Sequence, residues 1–187
     1  MGKKTRTKIL EAARRAFSEK GFNGVSVEEI AEMAGVNKAV VFYYFPSKAD
    51  LFAAVWEKSI DELEEHIFEE IKDESVYLKK IKKFLRSYID FVRNKKEIMR
   101  LIEREKVGVL SEKSDSIISR KLKARYKNFV KKIVDLLNEG KELKEIPSDL
   151  SVEETANIIT NGIAAMIFDP NVSLENMEKI IFRTITK

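Results

Sequence analysis

The 187-residue chain has no cysteine, which excludes disulfides and thiolate metal sites. It holds three prolines and seven glycines, a scarcity that argues against extended disorder. His66 is the only histidine. No second histidine and no E-x-x-H spacing stands with it to build a metal centre, so it reads as a surface or pocket-edge residue on a charged helix face. Neither G-x-x-x-x-G-K-[ST] nor G-x-G-x-x-G occurs, so no phosphate-cradling loop of either kind is expected. Paired acids such as Glu103 and Glu105 lie in a charge-rich run and read as solvated. With no catalytic constellation, no metal and no cofactor expected, an enzyme is the weakest functional reading. No apolar run is long enough to cross a bilayer, and MGKKTRTK lacks the apolar stretch of a secretory leader. The expectation is a cytoplasmic protein without membrane contact.

What is present is 44% hydrophobic and 35% charged residues, the balance of a globular chain. Abundant lysine and glutamate without cysteine also fit a thermophilic source. The net charge of +4 is unevenly placed: residues 1–46 carry eight Lys/Arg against five Asp/Glu, and residues 47–187 carry 27 against 26. Lys3, Lys4, Arg6 and Lys8 form a short basic arm with no acid among them. Such an arm suits a phosphate backbone if a reading element lies beside it.

Helical periodicity runs through the whole chain and strand alternation does not, so the fold is expected to be all-α with about nine helices. Ile9, Ala12, Ala13, Ala16 and Phe17 recur at one helical face from about Thr5 to Lys20. Ser26 with Glu29 gives a capping box opening a short helix, and Gly35 ends it. A second short helix spans about Asn37 to Phe45, where Pro46 stops it, and Ser47 with Asp50 opens a third. Two short helices joined through a glycine turn form a helix-turn-helix, over about residues 26–45. Long charged amphipathic helices follow, from Ser47 to about Lys72, from about Val76 to Asn94, from Lys95 to about Arg104 and from Ile117 to Asn138, the last ended by Gly140. GVLSEKSDS reads as a loop. Ser151 with Glu154 caps a helix to about Phe168, and Ser173 to Thr186 is the last. The division expected is a three-helix domain over residues 1–46 and a larger helical domain over 47–187.

The stretch ILEAARRAFSEKGFNGVSVEEIAEMAGVNKAVVFYYFPSKADLF, residues 9–52, resembles the DNA-binding domain of the TetR family of bacterial transcriptional regulators. The order I-L-x-A-A…F…K-G-F…S-V-x-x-I-A…A-G-V…F-Y-Y-F-P-S-K-x-x-L is intact, and the resemblance extends to about residue 60. It implies a homodimer that binds a near-palindromic double-stranded operator, with a pocket in the helical domain through which a small molecule controls DNA affinity. Repression released by a hydrophobic or amphipathic effector is the reading expected; an architectural DNA binder without a ligand and a helical enzyme are the alternatives. One position departs from the family, which usually has tyrosine where this chain has Phe42.

The residues themselves suggest roles. At about 100° per residue, Val41 and Phe45 face the core together while Lys38, Ala39 and Tyr43 face away. Asn37 and Lys38 can donate to base edges, and Ala39 and Val40 can offer apolar contact to thymine methyls. Tyr43 and Tyr44 can hydrogen-bond phosphates, Lys48 is placed as a phosphate clamp, and Ser26 can cap and touch phosphate together. Lys3, Lys4 and Arg6 complete the expected DNA-contacting set. An effector pocket, if lined by the apolar stripes of the middle helices, would draw on Phe84, Tyr88, Phe91, Met99, Ile102, Tyr126, Phe129 and Ile163. The helix from Ser151 is apolar around most of its circumference, as expected of one buried on two sides. Ile159, Gly162, Ile163 and Met166, with Met177 and Ile181 of the last helix, are the expected dimer face. A core helix of a monomer is the alternative.

Overall fold

A computed structural model describes residues 2–111, 116–165, 169 and 173–186, which contain nine α-helices and no strand. They are α1 (Gly2–Lys20), α2 (Val27–Ala34), α3 (Lys38–Tyr44), α4 (Lys48–Glu69), α5 (Tyr77–Asn94), α6 (Lys96–Leu110), α7 (Ile117–Glu142), α8 (Val152–Ala165) and α9 (Leu174–Ile185). None of them is long and apolar enough to cross a membrane. The expected serine caps form. Ser26 Oγ accepts the Glu29 N–H at 3.1 Å, Ser47 Oγ the Asp50 N–H at 3.1 Å and Ser151 Oγ the Glu154 N–H at 3.4 Å. Each satisfies one of the donors that a helix start leaves without an intrahelical partner.

Packing divides the chain into two compact units, one comprising residues up to Ile60 with Glu97–Arg125, the other Asp61–Lys96 with Tyr126–Lys187. The cuts fall inside α4 and α7 and at the first residue of α6, whereas sequence character changes at 46/47. In the first unit, Ile9, Ala12, Ala13, Ala16 and Phe17 of α1 are buried as their spacing predicts. They share a core with Ile30 and Ala31 of α2, Val41 of α3 and Leu51, Phe52 and Trp56 of α4. The rings of Phe17, Phe22 and Phe52 meet at 5.1–6.1 Å between centroids, and each fully buried ring of this size is worth about 1.5–3 kcal/mol. Two side chains of α6 tie this core down: Glu97 Oε1 accepts from Arg14 Nε at 2.9 Å, and Glu105 Oε1 accepts the Phe22 N–H at 2.9 Å. Glu105 is therefore an anchor for the loop after α1 as well as a member of a charge run.

In the second unit, α5 packs on α8 and α9, and its buried Phe84 and Tyr88 continue into Phe129 of α7, with centroids 6.2 Å apart at each step. Four helix bounds differ from the sequence reading, the first being that α4 ends at Glu69 rather than near Lys72. α1 begins at Gly2 rather than Thr5, so the basic arm is the first turns of a helix. α6 runs on to Leu110, which takes Gly108, Val109 and Leu110 out of the expected loop; Glu112 to Asp115 lie outside the described residues. α7 passes through Gly140 and ends at Glu142.

The left-handed residue that closes α7 is Lys144, with φ 61°, and the Glu145 and Ile146 N–H groups both donate to the Gly140 carbonyl, at 2.9 and 3.2 Å. Gly140 is needed for space instead. A Cβ built on it would overlap the hydroxyl and ring carbons of Tyr77 at the start of α5. That hydroxyl is buried without a partner among the described residues. Burial, with Glu139 and Glu145 nearby, pushes its ionisation above the usual tyrosine range. Gly140→Ala should lower stability by about 1–3 kcal/mol through overpacking, despite the ~1 kcal/mol that alanine gains in a helix interior. Urea unfolding followed by circular dichroism checks this, and a stabilised variant would show that the ring yields freely.

Candidate nucleic-acid interface

α3 has seven residues, below the length at which a helix holds itself together in water. Two features fix it. Asn37 Oδ1 accepts the Val40 N–H at 2.9 Å, and the buried Val41 and Phe45 anchor its inner side. The turn before it depends on Gly35, at φ 66°, a left-handed conformation that costs glycine little. From it the Val36 N–H reaches back to the Ala31 carbonyl at 2.9 Å. The outward side of α3 then presents Lys38, Ala39, Phe42 and Tyr43 to solvent, with Val40 and Tyr44 half-buried. Tyr43 is 82% exposed, the most open large hydrophobic side chain described. Its ring meets that of Tyr44 in a T-shaped pair at 5.1 Å between centroids. Phe42, 39% exposed, stands on the same surface with no hydroxyl to offer.

Three of the cations expected to meet DNA are each held by a neighbour. Lys38 Nζ pairs with Glu28 of α2 and lies 5.5 Å from the centre of the Phe42 ring. Arg6 stacks over Phe45 at 5.1 Å and Lys48 Nζ over Phe22 at 4.6 Å. These cation–π contacts are worth about 0.5–1 kcal/mol at exposed sites, enough to orient a long side chain without withholding it from a phosphate. Glu28 and Glu29 occupy the first turn of α2, beside Ser26. Both carboxyls are held below the usual range, Glu28 chiefly by Lys38 and Glu29 chiefly by Lys20. Those two lysines offset the acids at the point where Ser26 is exposed. Lys3, Lys4 and Arg6 are exposed on the opening turns of α1, which have no acid in the first turn. An uncompensated positive helix end with cations beside it favours an approaching anion.

One expected role narrows. Asn37 spends its side-chain oxygen on the cap, so only its amide NH₂ is left to donate to a base. The Glu28–Lys38 and Glu105–Phe22 contacts went unread because no helical spacing joins residues ten and 83 positions apart.

The remaining expected sites lie elsewhere. Phe84, Tyr88, Phe91, Met99, Ile102, Tyr126, Phe129 and Ile163 are all buried, Met99 and Ile102 in the first unit and the rest in the second. Of the expected dimer face, Ile159, Ile163 and Ile181 are buried within the chain itself. They are therefore core residues of the protomer. Gly162 and Met177 are half-exposed, and Met166 lies outside the described residues. The apolar residues that α8 and α9 expose are instead Ile158, at 68%, and Ile180, at 62%. Each lies one position from a buried isoleucine, and a one-residue step turns about 100° around a helix.

Residues 9–55 match the family described as bacterial regulatory proteins, tetR family. Among curated relatives, the HTH-type transcriptional regulator RutR of Escherichia coli K12 is 51% identical over 53 residues, which are 28% of this chain and 25% of that protein. The chain thus aligns with about a quarter of that relative's length. Among solved structures, AibR in complex with isovaleryl coenzyme A and operator DNA superposes with a TM-score of 0.80 at 18% identity, over 97% of this chain and 98% of that one. FadR of Bacillus subtilis in complex with stearoyl-CoA gives 0.74 at 19% identity, over 97% of each chain. At these identities the likeness is one of fold.

Three substitutions separate the roles of the cations. Lys48→Ala should weaken binding to operator and random DNA alike and lower the salt slope by about one. Lys38→Ala should relax sequence preference, costing about 1–3 kcal/mol of discrimination at one base pair. Glu28→Gln, which frees Lys38, should raise affinity for random DNA. Fluorescence anisotropy across a salt series reads all three, and lysine variants that bind both DNAs like the parent would remove α3 and Lys48 from the interface.

Proposed function

We propose, on the premise that the chain belongs through its N-terminal domain to the tetR family of bacterial transcriptional regulators, that it is a homodimeric repressor of a near-palindromic operator. The observation that carries this reading is the outward side of α3. Lys38, Ala39 and Tyr43 stand exposed there on a short helix whose opposite side is locked by Val41 and Phe45. A helix presented in this way fits a major groove, where lysine suits guanine and alanine suits thymine methyls. Lys48, Tyr44, Ser26 and the cations of α1 then serve the phosphate backbone and set register without reading sequence.

The dimer is proposed to form through the outer faces of α8 and α9. Support comes from Ile158 and Ile180, exposed in the single chain, and from Gly162, around which a Cβ would meet nothing within 4 Å, leaving room for a close helix approach. Two copies related by a two-fold axis read two half-sites one or more helical turns apart, about 34–36 Å per turn. Release by a small hydrophobic or amphipathic effector completes the reading, and the acyl-coenzyme A molecules held by the AibR and FadR structures support it. The effector acts by binding more tightly to the state with low DNA affinity. The site of action is the cytoplasm, where the operator lies.

DNA selected from a random pool by the purified protein should converge on an inverted repeat with half-site centres spaced by whole helical turns. Failure to enrich any sequence would favour an architectural binder. Sedimentation should show a dimer, and Ile158→Glu with Ile180→Glu should yield a folded monomer whose affinity for the full repeat falls to that for a half-site. A monomeric parent protein would overturn the dimer.

A further inference from the structure

The outward side of α3 holds donors and no charged acceptor. Lys38 carries an ammonium, Tyr43 and Tyr44 carry hydroxyls, and the helix has no acid. Asn37 Oδ1 is taken by the Val40 N–H. In the major groove a cytosine shows only its N4 amino donor, which an acceptor must read. The charged acceptor on this surface comes from the neighbouring helix. Glu28, second residue of α2, bonds through Oε1 to the Nζ of Lys38, first residue of α3.

The pair stays in the open, with the Lys38 and Glu28 side chains 49% and 59% exposed. An ion pair so exposed contributes little to stability, and α2 and α3 are held by buried Ile30, Ala31 and Val41 instead. Glu29, next to it in the same turn, is drawn away to Lys20 of α1. The hydrogen bond from Lys38 holds the Glu28 carboxyl below the usual range. It is therefore ionised at neutral pH, and a carboxylate that meets one ammonium still has lone pairs to accept with. A donor and an acceptor joined in this way match one kind of base pair. In G·C the guanine O6 and the cytosine N4 are hydrogen-bonded to each other, so they lie side by side on the major-groove edge. Guanine adds N7 beside O6, and the second N4 hydrogen points into the groove.

We propose that Glu28 is a specificity-determining residue that reads one G·C pair together with Lys38. The ammonium donates to guanine O6 and N7, the carboxylate accepts from cytosine N4, and the bond between the two side chains is kept. The inference rests on the regulator reading above. A T·A pair keeps the order of acceptor and donor, through thymine O4 and adenine N6, but has no N7 beside O4. C·G and A·T reverse the order, so the ammonium meets an amino group and the carboxylate meets a carbonyl oxygen. The preference is thus G·C, then T·A, then the two reversed pairs. On any other DNA, Glu28 opposes the phosphates and holds Lys38 back, which is discrimination by repulsion.

The test uses the full-length protein and its selected operator, read by fluorescence anisotropy at the pair where Lys38→Ala relaxes preference. All four pairs are compared, and the cytosine is also replaced by 2-pyrimidinone, which lacks the N4 amino group. The parent should follow the stated order, with about tenfold between G·C and either reversed pair. The 2-pyrimidinone should cost the parent about tenfold and Glu28→Ala less than about twofold. Glu28→Gln should weaken operator binding while it tightens binding to random DNA. Exchanging the charges, Glu28→Lys with Lys38→Glu, should leave circular dichroism native and move the preference to C·G. An equal cost of 2-pyrimidinone in parent and Glu28→Ala would reduce Glu28 to a support for Lys38 and overturn the inference. A folded exchange variant that still prefers G·C overturns it too; if that variant does not fold, the 2-pyrimidinone comparison decides alone. A selected operator whose preferences no substitution at residues 28 or 38 alters sinks the inference and leaves the regulator reading intact. A parent that enriches no sequence sinks both.

Discussion

The candidate interface depends on the anchoring of α3. Seven residues cannot form a stable helix from propensity alone, and KAVVFYY is rich in β-branched and aromatic types that are mediocre helix formers. The helix exists because Asn37 caps its start and Val41 and Phe45 are buried at its inner side. Burying those two side chains is worth about 3–6 kcal/mol by area, which outweighs the cost of ordering so short a segment. That anchoring also fixes the angular position of every outward residue, since α3 cannot rotate without withdrawing Val41. Exposure of Tyr43 and Lys38 is thus a consequence of packing.

Charge is organised on the same scaffold. Three of the cations proposed to face DNA rest on aromatic rings or an opposing carboxylate, Arg6 on Phe45, Lys48 on Phe22 and Lys38 on Glu28 and Phe42. Exposed pairs of this kind contribute little to stability, and their value is geometric. They hold flexible side chains near the positions at which a phosphate or a base edge would meet them, which reduces the ordering cost on binding. Phe22 connects this surface to the interior. It contacts Phe17 and Phe52 in the core, bonds Glu105 through its backbone and carries Lys48 on its ring.

The sequence alone determined the all-α class, the serine caps, the face of α1 and the in-out pattern of α3, because all of these rest on periodicity and on hydrogen bonds between residues three or four apart. It also carried the resemblance of residues 9–52 to one family, where many spaced positions match at once. Tertiary structure decided whatever depends on distant partners. Gly140 reads locally as a helix stop, yet the proximity of Tyr77 makes it a packing position and leaves Lys144 to turn the chain. Ile159 and Ile158 are equally apolar in sequence, and only the rotation of α8 against its neighbours buried the first and exposed the second. The pairing of Glu28 with Lys38, the anchoring of Phe22 by Glu105 and the cavity between Phe22, Phe52 and Val109 join segments with no local period in common. Folding alone brought them together, because burial of apolar area is non-directional in sequence and is decided by the packing of the whole unit.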